Sequence, residues 1–258
     1  MIEKKIHYIW VGGKPLTKLA KKCIKSWKKF CPDYEIIEWN ENNFDVTQNT
    51  FCRQAYEAKK WAFVSDYMRM HILYEHGGVY MDTDVEVLKP LDEFLHNKAF
   101  SGFEQFDIIP TGIIAAQKNN EWIKNILDWY TDATFVDDIN ELTMEEVFKK
   151  SNVHIITEIT KSMYPELTLN NQTQHLGEVS FYEKVIFCPL TGGNGVFLDI
   201  SKSYTIHHFA GSWLPKKNLM GRIKTVLRNK IGVKRIYQRR YNQQEKRKRK
   251  QAAKNKAL

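Results

Sequence analysis

Along the chain, apolar positions first gather in Lys5-Ile6-His7-Tyr8-Ile9-Trp10-Val11, a β-branched and aromatic run halted by Gly12-Gly13. This pattern predicts a buried strand that delivers Trp10 to its C-terminal end. A helical stretch follows over Leu16–Phe30, closed by Cys31-Pro32-Asp33, and a second strand over Tyr34–Trp39. Strand, helix, strand is the βαβ unit of an α/β sheet. Arg53–Glu75 has a helical pattern, with Gly77-Gly78 as its stop, and Val79–Leu88 a strand pattern ending at Lys89-Pro90. Further on, Gly112–Ala116 and Tyr204–Phe209 predict strands, and Glu121–Tyr130 and Met144–Lys150 predict helices.

A chain of 258 residues, 43% of them hydrophobic, buries one substantial core. No apolar run approaches the roughly 20 residues of a membrane span, and the N-terminus lacks a signal-peptide core. The expected location is the cytoplasm. Cys23, Cys31, Cys52 and Cys188 are scattered without zinc-finger or CxxC spacing, which predicts reduced thiols. The net charge of +9 is unevenly spread: from Lys216 onward there are seventeen Lys/Arg and one acid, while residues 1–215 hold 22 basic and 29 acidic side chains. Two parts are therefore expected, a catalytic body over 1–215 and a basic tail over 216–258. Leu219, Ile223, Val226, Leu227 and Ile231 recur near helical spacing among Arg222, Lys224, Arg228 and Lys230, the pattern of an interfacial helix. That places the protein peripherally on the inner face of the cell membrane, with a solvated tail as the alternative for Gln243–Leu258.

The chemistry gathers at Asp82-Thr83-Asp84. In an extended segment both carboxylates project from one face, and two such oxygens suit Mg2+ or Mn2+ carrying a diphosphate. By itself an Asp-x-Asp is common, and two solvated acids at a strand end is the usual reading. The context is more specific: Ser65-Asp66-Tyr67-Met68-Arg69, then Leu73-Tyr74, then Gly77-Gly78-Val79-Tyr80 lead directly into Asp82 and Asp84. The stretch Trp61–Pro90 resembles the signature of DXD-type glycosyltransferases, which include bacterial capsular-polysaccharide transferases, initiating α-mannosyltransferases and the large clostridial glucosylating toxins. Trp10 in HYIWVGG is similar to that family's opening strand, and His207-His208-Phe209-Ala210-Gly211-Ser212-Trp213 to its closing motif.

The resemblance implies a GT-A fold, a mixed central sheet flanked by helices. It also implies a hexose transfer from a nucleotide-diphosphate sugar with retention, UDP-glucose or UDP-galactose being favoured over GDP-mannose. Trp10, Asp66, Arg69 and Tyr80 match the donor-binding pattern. Trp10 stands where its ring would stack on a base, with a core tryptophan as the alternative, and Asp66 and Arg69 share a helix face that would offer an acceptor and a donor to sugar hydroxyls, or form a surface salt bridge. Asp82 and Asp84 would hold the metal, completed by a histidine of the closing motif. The His–x–x–Gly spacing favours His208, with His207 as the alternative. Ser212 and Trp213 would reach the leaving diphosphate. The acceptor implied is a saccharide or a lipid-linked sugar in surface polysaccharide synthesis, with a protein acceptor, as for a toxin-like protein glycosyltransferase, as the alternative.

Two other classes compete. A nucleic-acid-binding protein would use the KRKRK tail, against which stand the acidic body and the lack of a nucleic-acid module. A non-catalytic sugar-binding protein would not need Asp66, Arg69, Asp82 and Asp84 together. Gly192-Gly193-Asn194-Gly195 matches no phosphate-binding pattern and predicts a loop near the acceptor.

Overall fold

The computed structural model describes residues 1–104, 108–136, 151–190, 198–210 and 233–255. Nine strands form two sheets: β1 (Lys5–Ile9), β2 (Glu35–Trp39), β3 (Gly78–Met81), β4 (Val85–Val87), β5 (Ala99–Gly102), β6 (Ile113–Ala116), β7 (Gln174–Leu176), β8 (Val179–Tyr182) and β9 (Thr205–His207). The main sheet runs β2-β1-β3-β6-β5-β8-β7, and β4 pairs with β9 alone. Three neighbouring pairs of the main sheet are parallel and three antiparallel.

Central strands apolar on both faces must be covered on both. Val79 and Met81 of β3, with Ile113 and Ala115 of β6, join one core that contains Trp27 and Phe187. Tyr80, Ile114 and Ala116 point the other way into a core with Met68, Leu73, Trp122 and Phe181. Helix α1 (Lys18–Phe30) covers the first face through Ala20, Cys23 and Trp27, capped at its start by Thr17. Helices α2 (Thr50–Glu57), α3 (Trp61–His76) and α4 (Glu121–Trp129) cover the second.

The helix expected over Arg53–Glu75 is two helices. Lys60 N–H bonds back to Ala55 C=O and Lys59 N–H to Tyr56 C=O, with Lys59 at φ 57°. This is the Schellman arrangement, here with lysine where glycine is usual. The strand expected over Val79–Leu88 also divides. Val85 N–H bonds to Asp82 C=O at 2.9 Å, so Asp82-Thr83-Asp84 is a tight turn between β3 and β4.

Gly77 and Gly78 both have positive φ, 62° and 93°, at the α3–β3 junction. A Cβ on Gly78 would stand 2.8 Å from His7 Nε2. His7 is buried and held at both nitrogens: Trp39 donates to its Nδ1, so its Nε2–H donates to Gly77 C=O. Burial pushes His7 down to about 4, keeping it neutral in that role.

Among the described residues, no helix is long and apolar enough to cross a membrane. The segments with Leu219–Ile231, Met144–Lys150 and Gly192–Gly195 lie outside the described residues. Helix Val233–Asn255 carries exposed Lys246, Arg247, Lys248, Arg249 and Lys250.

Candidate active site

The site is assembled where the β3–β4 turn meets the end of β9. Antiparallel pairing sets Val85 opposite His207 and Val87 opposite Thr205. His208 N–H then bonds to Asp84 C=O at 3.0 Å, and Ala210 N–H to the Asp84 carboxylate at 2.7 Å. The closing motif is thus stitched onto the aspartate turn from a distant part of the chain.

His207 Nε2 lies 3.2 Å from Asp84 and 3.9 Å from Asp82. One ligand atom from each of Asp82, Asp84 and His207 falls within 4.8 Å of the others. The expectation that His208 completes this shell is corrected by strand alternation. Adjacent residues face opposite sides, and His208 Nε2 turns to Glu86 at 2.8 Å, which in turn holds Lys22 of α1 at 2.6 Å. His208 therefore ties the end of β9 to β4 and α1.

Electrostatics follow the same division. Burial disfavours the His207 imidazolium, yet Asp84 overcomes it and holds His207 well above its ordinary value. The carboxyl of Asp84, which burial alone would raise, is lowered by His207. Burial likewise opposes ionisation of Glu86, but hydrogen bonds from His208 and Lys22 bring it down to about 2. Close approach is built in at Gly112, where a Cβ would stand 2.9 Å from His207 Nδ1. The carbonyl of Gly112 accepts from Asp82 N–H at 2.9 Å.

Behind Asp82 stands a buried scaffold. Tyr80, 2% exposed, donates its hydroxyl to Asp82 Oδ1 at 2.7 Å. Arg69 lies over the Tyr80 ring at 4.6 Å. It donates three hydrogen bonds, to Ser65 C=O, Ser65 Oγ and Thr111 C=O, and forms ion pairs with Asp66 at 2.9 Å and Asp82 at 3.4 Å. Asp66 also accepts from Asn152, and burial raises it to about 7 despite Arg69. Asp66 and Arg69 pair as helix spacing predicts, but inside the protein and not at its surface, because α3 is apolar nearly all round, enclosing Val64, Tyr67, Met68, Met70, Ile72 and Leu73 as well. Tyr80 likewise faces Asp82 from inside the core. Trp10 sits half-buried beyond the end of β1, its indole N–H on Lys14 C=O. Ser212 and Trp213 lie outside the described residues. Sequence reasoning missed Glu86, Asn152 and Thr111, whose only signal is spatial.

Residues 17–101 match the family model described as "Glycosyltransferase sugar-binding region containing DXD motif". The chain is similar in that stretch to DXD-type glycosyltransferases. It is 26% identical over 238 residues to the uncharacterized glycosyltransferase L373 of Acanthamoeba polyphaga mimivirus, covering 85% of this chain and 86% of that protein. It is 25% identical over 178 residues to subversion of eukaryotic traffic protein A of Legionella pneumophila, over 56% of this chain. That match spans only 27% of the Legionella protein's length. Among solved structures, the PaToxG glycosyltransferase superposes with TM-score 0.50 at 21% identity, covering 65% of this chain and 71% of that one. The architecture this chain shares with that structure is the GT-A fold.

Proposed function

We propose that this DXD-type domain transfers a hexose from a nucleotide-diphosphate sugar to an acceptor, with a divalent cation held by Asp82, Asp84 and His207. The observation that carries this reading is the convergence of the aspartate turn and the closing motif at one point, with three ligand atoms within 4.8 Å. Two carboxylates and an imidazole suit Mn2+ or Mg2+. Such an ion, when bound, stabilises charge developing on the departing diphosphate. The protein's own part is to preorganise the site. Tyr80 and Arg69 fix Asp82, while Ala210 N–H fixes Asp84. Trp10, at the carboxyl end of β1, is placed for the nucleotide base, and Ser212 and Trp213 are carried as donors to the leaving group. Retention, and UDP-glucose or UDP-galactose ahead of GDP-mannose, belong to this proposal.

The acceptor proposed is a saccharide or lipid-linked sugar in surface polysaccharide synthesis, reached at an anionic membrane surface by the basic segment 216–258. The exposed run Lys246–Lys250 supports such a contact, and residues 1–215 would be the catalytic body. The likeness to the Legionella protein, named for acting on eukaryotic traffic, favours a second reading in which the acceptor is a protein. Incubation of the full chain with UDP-glucose, UDP-galactose and GDP-mannose, with Mn2+ or with excess chelator, tests the first proposal. Hydrolysis of one donor only when the metal is present is expected. Hydrolysis undiminished by chelator would refute the metal-dependent mechanism, and none with any donor would favour a sugar-binding role.

A further inference from the structure

His207 has a second side. Its Nδ1 is buried, with no oxygen or nitrogen partner and only the Cys188 thiol beside it, while its Nε2 faces Asp84. Beside it lie Cys188 and Glu104, and one ligand atom from each of Glu104, Cys188 and His207 falls within 4.8 Å of the other two. Cys188 is positioned by the short helix Lys184–Phe187, whose Lys184 C=O accepts Cys188 N–H at 2.9 Å. That helix is anchored to β9 by Thr205, which donates to Phe187 C=O at 2.6 Å. Glu104 follows β5, its N–H bonded to Ile108 C=O.

The donor set differs in kind from the aspartate pair. Thiolate, imidazole and a single carboxylate oxygen are the preferred ligands of Zn2+, whereas Mg2+ and Mn2+ favour oxygen. We propose that Glu104, Cys188 and His207 form a binding site for a thiophilic divalent cation such as Zn2+, adjoining the aspartate pair and competing with it for His207. Zinc bonds of about 2.0–2.3 Å place tetrahedral ligands somewhat under 4 Å apart, so these atoms need to draw in by about 1 Å at most. Binding requires no oxidant. The Cys188 S–H and His207 Nδ1–H bonds break, both protons pass to solvent, and the thiolate and imidazole lone pairs enter the metal. Asp82, Asp84 and Lys184 also lie within electrostatic reach of Glu104. The cation-binding claim stands on these residues alone. The inhibition it implies rests on the proposed transfer mechanism, because an imidazole bound to zinc through Nδ1 carries its proton on Nε2 and offers no lone pair to a cation at Asp82 and Asp84.

Co2+ titration of the full chain reads the thiol directly, through near-ultraviolet thiolate-to-cobalt absorption. The site predicts one equivalent of that absorption in wild type, bleached by Zn2+, absent in Cys188→Ser and Cys188→Ala, and shifted to at least ~10-fold higher Co2+ in Glu104→Gln. Circular dichroism identifies which variants remain folded. No absorption in the folded wild type overturns the proposal. Absorption that survives in either folded Cys188 variant overturns it too, since the thiol would then be another cysteine. Mn2+ binding followed by paramagnetic resonance separates the two claims. Cobalt absorption without Mn2+ binding leaves this site standing while the aspartate-site reading fails, and Mn2+ binding without cobalt absorption does the reverse.

Discussion

Replacing Arg69 separates a buried organiser from a substrate-binding residue. The guanidinium is 4% exposed, and it makes three hydrogen bonds and two ion pairs within the protein. Removing it in Arg69→Ala leaves Asp66 and Asp82 facing each other without a counter-charge, and breaking a buried pair from one side costs about 3–5 kcal/mol. Arg69→Lys keeps the charge but offers three donors to five partner groups. Two unmet groups at about 1–3 kcal/mol each make its loss about 2–6 kcal/mol. With a urea m-value of about 3 kcal/mol/M, a 4 kcal/mol loss lowers the unfolding midpoint by about 1.3 M. Equilibrium urea unfolding followed by tryptophan fluorescence measures both variants. Adding Asp66→Asn to Arg69→Ala should recover part of the loss, because the neutral amide no longer needs the cation. If Arg69→Ala costs under about 1 kcal/mol while transfer collapses, Arg69 serves the sugar and the scaffold argument is refuted.

Other expectations follow from the same structure. Glu86→Gln should destabilise the fold near neutral pH and flatten its acid dependence. The folded pKa of Glu86 lies below its ordinary value, so its contribution is full above about 4.5 and fades as pH falls toward about 2, which urea midpoints across that range would trace. Tyr80→Phe should leave the fold intact and weaken Mn2+ binding ~10-fold or more by freeing Asp82, as measured by paramagnetic resonance; unchanged affinity would show that the hydroxyl does not position the carboxylate. Truncation after Pro215 should abolish salt-sensitive co-sedimentation with anionic vesicles while sparing donor hydrolysis, and equal sedimentation of both forms would place the attachment elsewhere.

The βαβ opening, α1, β2, β6 and α4 are legible in the sequence because their apolar periodicity is strong and their stops are ordinary. The α2–α3 break is not, since Lys59 takes a left-handed position that its identity does not announce. β7 and β8 escape notice because Gln174-His175-Leu176 and Val179-Ser180-Phe181-Tyr182 are short and mix polar with apolar residues, whereas β6, equally short, is apolar throughout. In the site, the motif identifies Asp82 and Asp84 but not their turn, which depends on the backbone bond to Val85. The choice between His207 and His208 depends on which face of β9 pairs toward the aspartates, a matter of register across distant strands. Asp66 and Arg69 stand out in the motif, yet only the packing of α3 shows that they turn inward.

The account's central claim is the identity of the third metal ligand. Mn2+ titration of wild type, His207→Ala and His208→Ala, followed by paramagnetic resonance in the presence of a nucleoside diphosphate, tests it most directly. The structure predicts at least ~10-fold weaker Mn2+ binding in His207→Ala. His208→Ala should bind as wild type does, with only its stability reduced by the loss of the Glu86 contact. Retained binding in His207→Ala together with loss in a folded His208→Ala would contradict the site described here.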